Sequence, residues 1–475
     1  MRGQTYVIIG GGLSGTLTAY HLARRTVQTR IVIVEPRPSL GLGLAYSTPT
    51  LCHLLNVPAG KISALSHEPT HFLDWIRKNY DPAMTESDFA PRAIFGKYIN
   101  SLITATAGIR HLRTTVRDVR VEGAGAVVTL VNGRTLTADA VVLATGNFDP
   151  APLKGVSEEA TERGLYCHSA WDDATYADLT PDAPVTLIGT GLTAVDVILR
   201  LREIGHRGVI TAISRHGVFP KRHARYVPLA ECVITGTPPA KARGLLHAVH
   251  EAIRSGMPWR AVVDSLRART NQLWLALPLV EQQRFGRHLQ RHWEVVRHRM
   301  APPIADVIET ELAAGTLVIR RGSLEDVLPE GEGARVNARA ATGETLQVTG
   351  QRVINCTGPN MNYRRVGSAL LESLFAQGLV TAGPHGGGLW SDEDGALRST
   401  DGSFSKVLFN VGPGRQGTLL ESIAVPELRD QAVMMADRLV AQQWARSASV
   451  SPFTRAPHDP EGPDVRLLGV AGRRP

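Results

Sequence analysis

Two glycine runs in this chain follow apolar stretches and are spaced to bring backbone N–H groups against a phosphate. The first, Gly10-Gly11-Gly12-Leu13-Ser14-Gly15, fits G-x-G-x-x-G directly after Tyr6–Ile9. In that pattern Gly10 permits the tight turn, Gly12 lets the backbone approach a diphosphate, and Gly15 allows the following helix to pack closely on the strand. The diphosphate meets the positive end of the helix dipole at Leu13 and Ser14. Glu35 closes the next apolar run, Ile31–Val34, about 20 residues beyond the last glycine, where a carboxylate can accept hydrogen bonds from a ribose. The second run, Gly189-Thr190-Gly191-Leu192-Thr193-Ala194, repeats the pattern with alanine in the third place. After its second strand, Val209–Ile213, stands Ser214-Arg215-His216 instead of an acid. An arginine there can pair with a 2′-phosphate that a carboxylate would repel, so the second dinucleotide is expected to be NADPH rather than NADH.

Two further segments, Leu143-Ala-Thr145-Gly146-Asn147 and Ile354-Asn-Cys-Thr-Gly358, end apolar strands in Thr-Gly. Small residues at such ends let another backbone or a cofactor come close, and Thr145, Gly146 and Gly358 join the cofactor-binding candidates on that ground. Near the end, Val407–Thr418 reads as a strand running into a glycine turn, with a helix expected from about Leu419. Gly412 and Thr418 would then bring a helix N-terminus to a bound cofactor, where it favours negative charge.

These turns must be positioned by βαβ units, one over Tyr6–Glu35 and one over Val185–Ser214. Between them Val127–Leu136 alternates like a hairpin around Asn132-Gly133. From about 239 to 312 the pattern is helical, with Phe285, Leu289 and Trp293 at i, i+4 and i+8. The expected fold is α/β, with two Rossmann-like dinucleotide-binding domains: a discontinuous first domain over 1–178 and 345–446, and a second over 179–344 carrying a helical insertion at 239–312. A Pro/Gly-rich flexible tail is expected over 447–475.

The chain has 475 residues, 43% of them hydrophobic and 20% charged, enough for two cores. No apolar stretch reaches the ~18 residues a membrane span needs. The first five residues contain nothing like a signal peptide, so a cytoplasmic protein is expected. Net charge is +8, but residues 241–300 alone hold eleven Lys/Arg against four Asp/Glu. The basic character is therefore local, which argues against nucleic acid as a partner. Cys52, Cys167, Cys232 and Cys356 form no C-x-x-C pair or metal-ligand spacing. Any electrons must be carried by a cofactor.

Several short runs carry a more specific likeness: Gly41-Leu-Gly-Leu-Ala-Tyr46, His53-Leu-Leu-Asn-Val-Pro-Ala59, His71-Phe-Leu-Asp-Trp75, Phe89-Ala-Pro-Arg92 and Phe95-Gly-Lys-Tyr98. Ser214-Arg-His-Gly217, Trp293–Arg299 and Glu421–Arg429 add to them. Over residues 5 to 440 the chain resembles the FAD/NAD(P)-binding flavoprotein family that includes the bacterial L-aspartate N-monooxygenases forming nitrosuccinate. It is related in plan to the amino-acid N-hydroxylases of ornithine and lysine. The resemblance implies FAD reduced by NADPH, which reacts with O2 to a C4a-hydroperoxide that hydroxylates an amine. It also places Asn56, Pro58 and Lys61 near the flavin ring.

For such chemistry the oxidant belongs to the cofactor, and the chain supplies placement, a dry pocket and charge. Asn56 and Lys61 are the expected contacts to the flavin or its oxygen adduct. Arg297 and Arg299 are the expected clamp for a substrate carboxylate, with Arg222 and Arg225 as further candidates and His292 and His298 as possible proton carriers. The insertion is expected to roof the cleft between the domains. Partners are a small amine or amino acid and O2, with homo-oligomerisation left open. Two other readings remain at this stage: a flavin-dependent NAD(P)H reductase or dehydrogenase that inserts no oxygen, and a non-catalytic flavin-binding protein.

Overall fold

The computed structural model describes residues 3–26 and 29–449. The apolar run Thr5–Ile9 is shielded on both faces, as a central parallel strand requires. It lies between Arg30–Val34 and Ala140–Leu143, with Val7 level with Val32 on one side and Val141 on the other. Ile109–Leu112 extends this sheet at one edge, while Phe404–Asn410 and the antiparallel Ala396–Arg398 extend it at the other. Helix Leu13–Arg25 covers one face and packs along Val425–Ser449.

The second sheet has the order Leu317–Arg321, Ile210–Ser214, Val185–Ile188, Arg352–Asn355, Tyr166–Cys167, all parallel. The two sheets repeat one plan. In each, a strand, glycine turn, helix and strand are followed by a three-stranded antiparallel ribbon. The next strand then returns to lie beside the first. The ribbons are Val116–Glu122, Gly125–Leu130 and Thr135–Ala138 in the first unit, and Ser323–Glu330, Gly333–Arg339 and Thr345–Gly350 in the second. The hairpin expected around Asn132-Gly133 is present, with Thr129 level with Thr135.

The repeat moves the unit boundaries. Tyr166–Cys167 and Thr345–Asn355, expected in the first domain, pair within the second unit, which therefore runs past both ends of 179–344. Arg352–Asn355 is the second unit's counterpart of Ala140–Leu143, and two apolar strands of the same length carry no label of the sheet they join. The expected tail at 447–475 starts inside the last helical turn, which reaches Ser449, and otherwise lies outside the described residues.

The insertion comprises helices Ala242–Arg254, Trp259–Ser265, Thr270–Leu275, Leu279–His288 and Gln290–Arg297. Pro302–Ala314, expected to be part of it, is instead the crossover helix of the second sheet. It packs on Leu192–Glu203, ends at the left-handed Gly315 and feeds Leu317–Arg321. Phe285 and Trp293 sit on two successive helices rather than one, because the helical path breaks at Leu289 (φ −117°).

A buried ion pair ties the two units together. Arg92 donates to both carboxylate oxygens of Asp196 at 2.6 and 3.0 Å, and His53 Nε2 bonds the Asp196 carbonyl at 3.0 Å. The Asp196 side chain is only 3% exposed. Removing one partner of such a pair strands the other charge, at a cost of about 3–5 kcal/mol. Arg92→Met should therefore lower the unfolding free energy read by chemical denaturation by that order, with a matching fall in the midpoint. The double variant Arg92→Met/Asp196→Leu should recover most of the loss, and equal midpoints for single and double variants would show that the pair does not hold the units together.

Candidate active site

The two glycine turns share a mechanical cause. Gly10 has φ +107°, and a Cβ there would lie 2.1 Å from the carbonyl oxygen of Ala144, where the crossing strand Ala140–Leu143 ends. Gly189 has φ +123°, and its Cβ would lie 2.4 Å from the carbonyl oxygen of Cys356, at the end of Arg352–Asn355. Gly15 is also required by packing, since its Cβ would lie 2.0 Å from the Gly10 carbonyl oxygen. Gly12 and Gly191 differ from these. Both are extended, with φ −73° and −83°. A Cβ on Gly12 would meet only the Gly43 backbone, from 3.4 Å, and one on Gly191 would meet nothing within 4 Å among the described residues.

Each of these two glycines caps a helix, Leu13–Arg25 or Leu192–Glu203, that has no side-chain cap and no acidic residue in its first turn. The first N–H groups and the positive helix end are thus left for an anion. Glu35, buried at the end of its strand, accepts from Gly11 N at 2.8 Å and Arg37 N at 3.0 Å. A carboxylate has about four acceptor sites, so it can brace the turn and still receive ribose hydroxyls. The residues present fit a dinucleotide at both turns.

A cleft of about 760 Å3 opens from the second turn toward the first unit. It brings together the expected Asn56, Gly189, Gly191, Leu192, Thr193, Ser214, Arg215, His298 and Gly358. Arg215 is exposed at its rim. The Ser214 hydroxyl is engaged within the turn by Thr190 Oγ1 at 2.9 Å and Gly217 N at 3.0 Å. Sequence reasoning missed Gln290, Arg291 and Glu294, on one face of Gln290–Arg297, and Gln416, Ile423 and Ala424 of the first unit. Arg291 pins that helix to the second turn, with Nη2 at 3.0 Å from the Thr190 carbonyl and 2.6 Å from that of Val218. The i, i+1, i+4 spacing of Gln290, Arg291 and Glu294 was the available signal. The insertion thus walls the cleft through this helix.

Other expected residues lie elsewhere. Lys61 is exposed on the short turn Ala59–Lys61 and does not line the cleft. Arg297 is buried against Glu421 and Glu427, at 3.7 and 3.3 Å, and Arg299 is buried against Asp264. Their charge is answered inside the chain, and neither side chain lines the cleft. Arg222 pairs with Asp306 and Glu309 on the crossover helix. Thr145 and Gly146 end the crossing strand as expected, with the Gly146 carbonyl accepting from Tyr363 at 3.0 Å. Gly412 abuts Ser14 of the first helix. Thr418 exchanges hydrogen bonds with the Ser391 backbone. The helix expected from Leu419 begins at Val425, after the 3-10 turn Gly412–Gly417 and an irregular stretch over 418–424. His292 is exposed at the insertion surface. Burial lowers the pKa of His298, partly opposed by Glu421, whose Oε2 lies 3.9 Å from His298 Nε2.

Residues 7–148 match a family described as FAD-NAD(P)-binding, the segment that holds the first turn, Glu35 and Thr145-Gly146. No curated protein matches the chain. An ornithine N-hydroxylase of Kutzneria sp. 744, solved with reduced FAD, NADP+ and L-ornithine, is similar with a TM-score of 0.63 over 93% of this chain and 100% of its own, at 16% identity. The FAD-bound cadaverine monooxygenase of Erwinia amylovora gives 0.63 over 92% and 95%, at 12% identity. A bacillithiol disulfide reductase of Staphylococcus aureus gives 0.56 over 93% and 100%, at 13% identity. The chain therefore has the fold of two-dinucleotide flavoproteins, a fold that by itself does not choose among their reactions.

Under the cleft, His223 bonds the Asn56 carbonyl through Nε2 at 3.0 Å. Burial, aided by the Arg299 charge, lowers its pKa to about 4. His21 is likewise lowered to about 4, chiefly by burial. Between that value and the ordinary 6.5 the unfolded chain binds more protons, so stability rises with pH across this window and is lost as pH falls through it. Thermal midpoints should drop from pH 6.5 to 4, and His223→Gln, which can still donate to Asn56, should flatten the slope. An identical slope in the variant would mean that His223 is not buried neutral.

Proposed function

We propose that the chain is an FAD-dependent, NADPH-consuming monooxygenase that hydroxylates the nitrogen of a small amine or amino acid. The observation that carries the cofactor reading is the pair Gly12 and Gly191. Each occupies the middle glycine position of its turn, in a backbone conformation open to any residue and with no contact among the described residues that excludes a Cβ. Close approach of something outside the chain is the remaining reason for glycine there.

In this reading the first turn and Glu35 hold FAD, the second turn holds the NADPH diphosphate, and exposed Arg215 pairs with the 2′-phosphate. FAD, when bound, supplies the electron acceptor for NADPH and the means of activating O2. The chain's own work lies at the meeting of Asn56, His298, Gln416, Ile423 and Ala424. An amine must lose its proton before its nitrogen can attack. His298, kept neutral by burial, can take that proton, and the resulting imidazolium is answered by Glu421. Insertion helix Gln290–Arg297 limits water at the same place. The N-hydroxylase likeness of the fold supports the nitrogen as target, and the resemblance of the short sequence runs makes L-aspartate the first amine to test.

The purified protein should be yellow, and NADPH oxidation should be matched by O2 uptake and by an amine product heavier by one or more oxygens. A panel containing L-aspartate, L-ornithine and cadaverine, scored by mass spectrometry, tests this. NADPH oxidation that yields only H2O2 or reduces a quinone with every amine would replace the monooxygenase with a reductase. No turnover at all would leave a flavin-binding protein.

Gly12→Val should fold and lose FAD, whereas Gly191→Val should keep FAD and lose reduction by NADPH. A charge-assisted hydrogen bond contributes about 1.5–3 kcal/mol, so Arg215→Ala should cut the NADPH-over-NADH preference in kcat/KM by about tenfold or more. An unchanged ratio would assign Arg215 to the surface alone.

A further inference from the structure

The insertion lines a second pocket of about 310 Å3, half open to solvent and separate from the nucleotide cleft. Helix Gln290–Arg297 is the wall between them. Trp293 and Val296 face the cavity, and Gln290, Arg291 and Glu294 face the cleft. The opposite wall is Ala242–Arg254, whose Leu245, Leu246, Val249 and Ile253 line the cavity while only Ala242 of that helix is fully buried. An apolar cavity of roughly 150 Å3 stays dry and accepts benzene, so this one has room for a chain of about ten carbons or a fused ring pair.

The wall has almost nothing left to offer a polar guest. Trp274 Nε1 donates to the Thr418 carbonyl at 3.1 Å, Trp293 Nε1 to Glu421 Oε1 at 2.8 Å, and Thr270 Oγ1 to the Leu266 carbonyl at 2.9 Å. His250 and His292 also line it, but both are exposed and stand at the rim. A carboxylate or ammonium inside would lose its hydration with no partner in return, whereas a hydrocarbon would gain contact with the rings of Trp259, Trp274, Phe285 and Trp293.

We propose that this cavity is a binding site for one neutral, hydrocarbon-rich small molecule. The site is independent of which reaction the cleft performs. The full chain, with its flavin, can be titrated calorimetrically with decan-1-ol and, at pH 8, with decanoate of the same chain length. Saturable one-site binding of the alcohol is expected, with a negative heat-capacity change from apolar burial. Decanoate should bind about tenfold more weakly or worse, because its charge finds no partner. Leu246→Trp should fill the space and weaken decan-1-ol by about tenfold or more. Val249→Phe, a smaller filling, should weaken it in the same direction, with flavin content and circular dichroism confirming the fold of each variant. Heats of dilution only, equal binding of alcohol and carboxylate, or affinity unchanged in both folded variants would each overturn the proposal.

Discussion

The structure hangs on one backbone contact made twice: a glycine pressed against the carbonyl that ends a crossing strand. At Gly10 and Ala144, and again at Gly189 and Cys356, the turn can close only because there is no side chain between the two backbones. That closeness sets where the following helix starts. It also draws the strand ends of each sheet to a single point, the crevice where open α/β sheets take their ligands. Strand register, helix direction and the open N–H groups of the turns all follow from it. A methyl group at either position would force the crossing strand away and dismantle the cradle before any cofactor arrived.

The second dependence is the docking of the insertion, and it explains where the basic residues go. Glu421 accepts from Trp293 through its carboxylate, shares its backbone N–H and carbonyl with Asn271 at 2.9 and 2.8 Å, and lies against Arg297. Glu427 receives Arg267 and Arg297. The two residues thus hold helix Gln290–Arg297, Arg267 and, through the Glu421 backbone, Asn271 of Thr270–Leu275 beside the segment that begins Val425–Ser449. Buried ion pairs are poor sources of net stability, because desolvation offsets their attraction, but they reject geometries that leave a charge unpaired. What the pairs at Glu421 and Glu427 contribute is a fixed position for Gln290–Arg297, and with it the cleft wall.

The parts of this molecule that the sequence makes legible are those whose pattern is local. A glycine turn, an apolar strand before it and an acid or arginine after it all lie within about 35 residues, so both turns and the places of Glu35 and Arg215 just past their strands could be read directly. The hairpin at Asn132-Gly133 is local in the same sense. What could not be read depends on partners far away in the chain. Arg291, Arg297 and Arg299 are chemically identical and lie within nine residues. One faces the cleft, and the other two are consumed by Glu421, Glu427 and Asp264, more than 30 residues distant in every case. Arg352–Asn355, expected in the first domain, lies in the second sheet, and nothing local says so, since burial on both faces makes every central parallel strand look alike.

The glycines themselves sharpen this distinction. Gly10, Gly15 and Gly189 would be glycine in any protein with this backbone, whether or not it bound anything, because a Cβ at each collides with the chain's own atoms. Their presence is evidence of fold only. A Cβ on Gly191 would meet open space and one on Gly12 only ordinary contact with the Gly43 backbone, both from extended conformations, and glycine there weakens the chain by leaving the unfolded state freer. A residue that costs stability and solves no internal packing problem points outward, to what the chain must admit. That both turns, one per unit, have such a glycine at the same position argues for two dinucleotides rather than one.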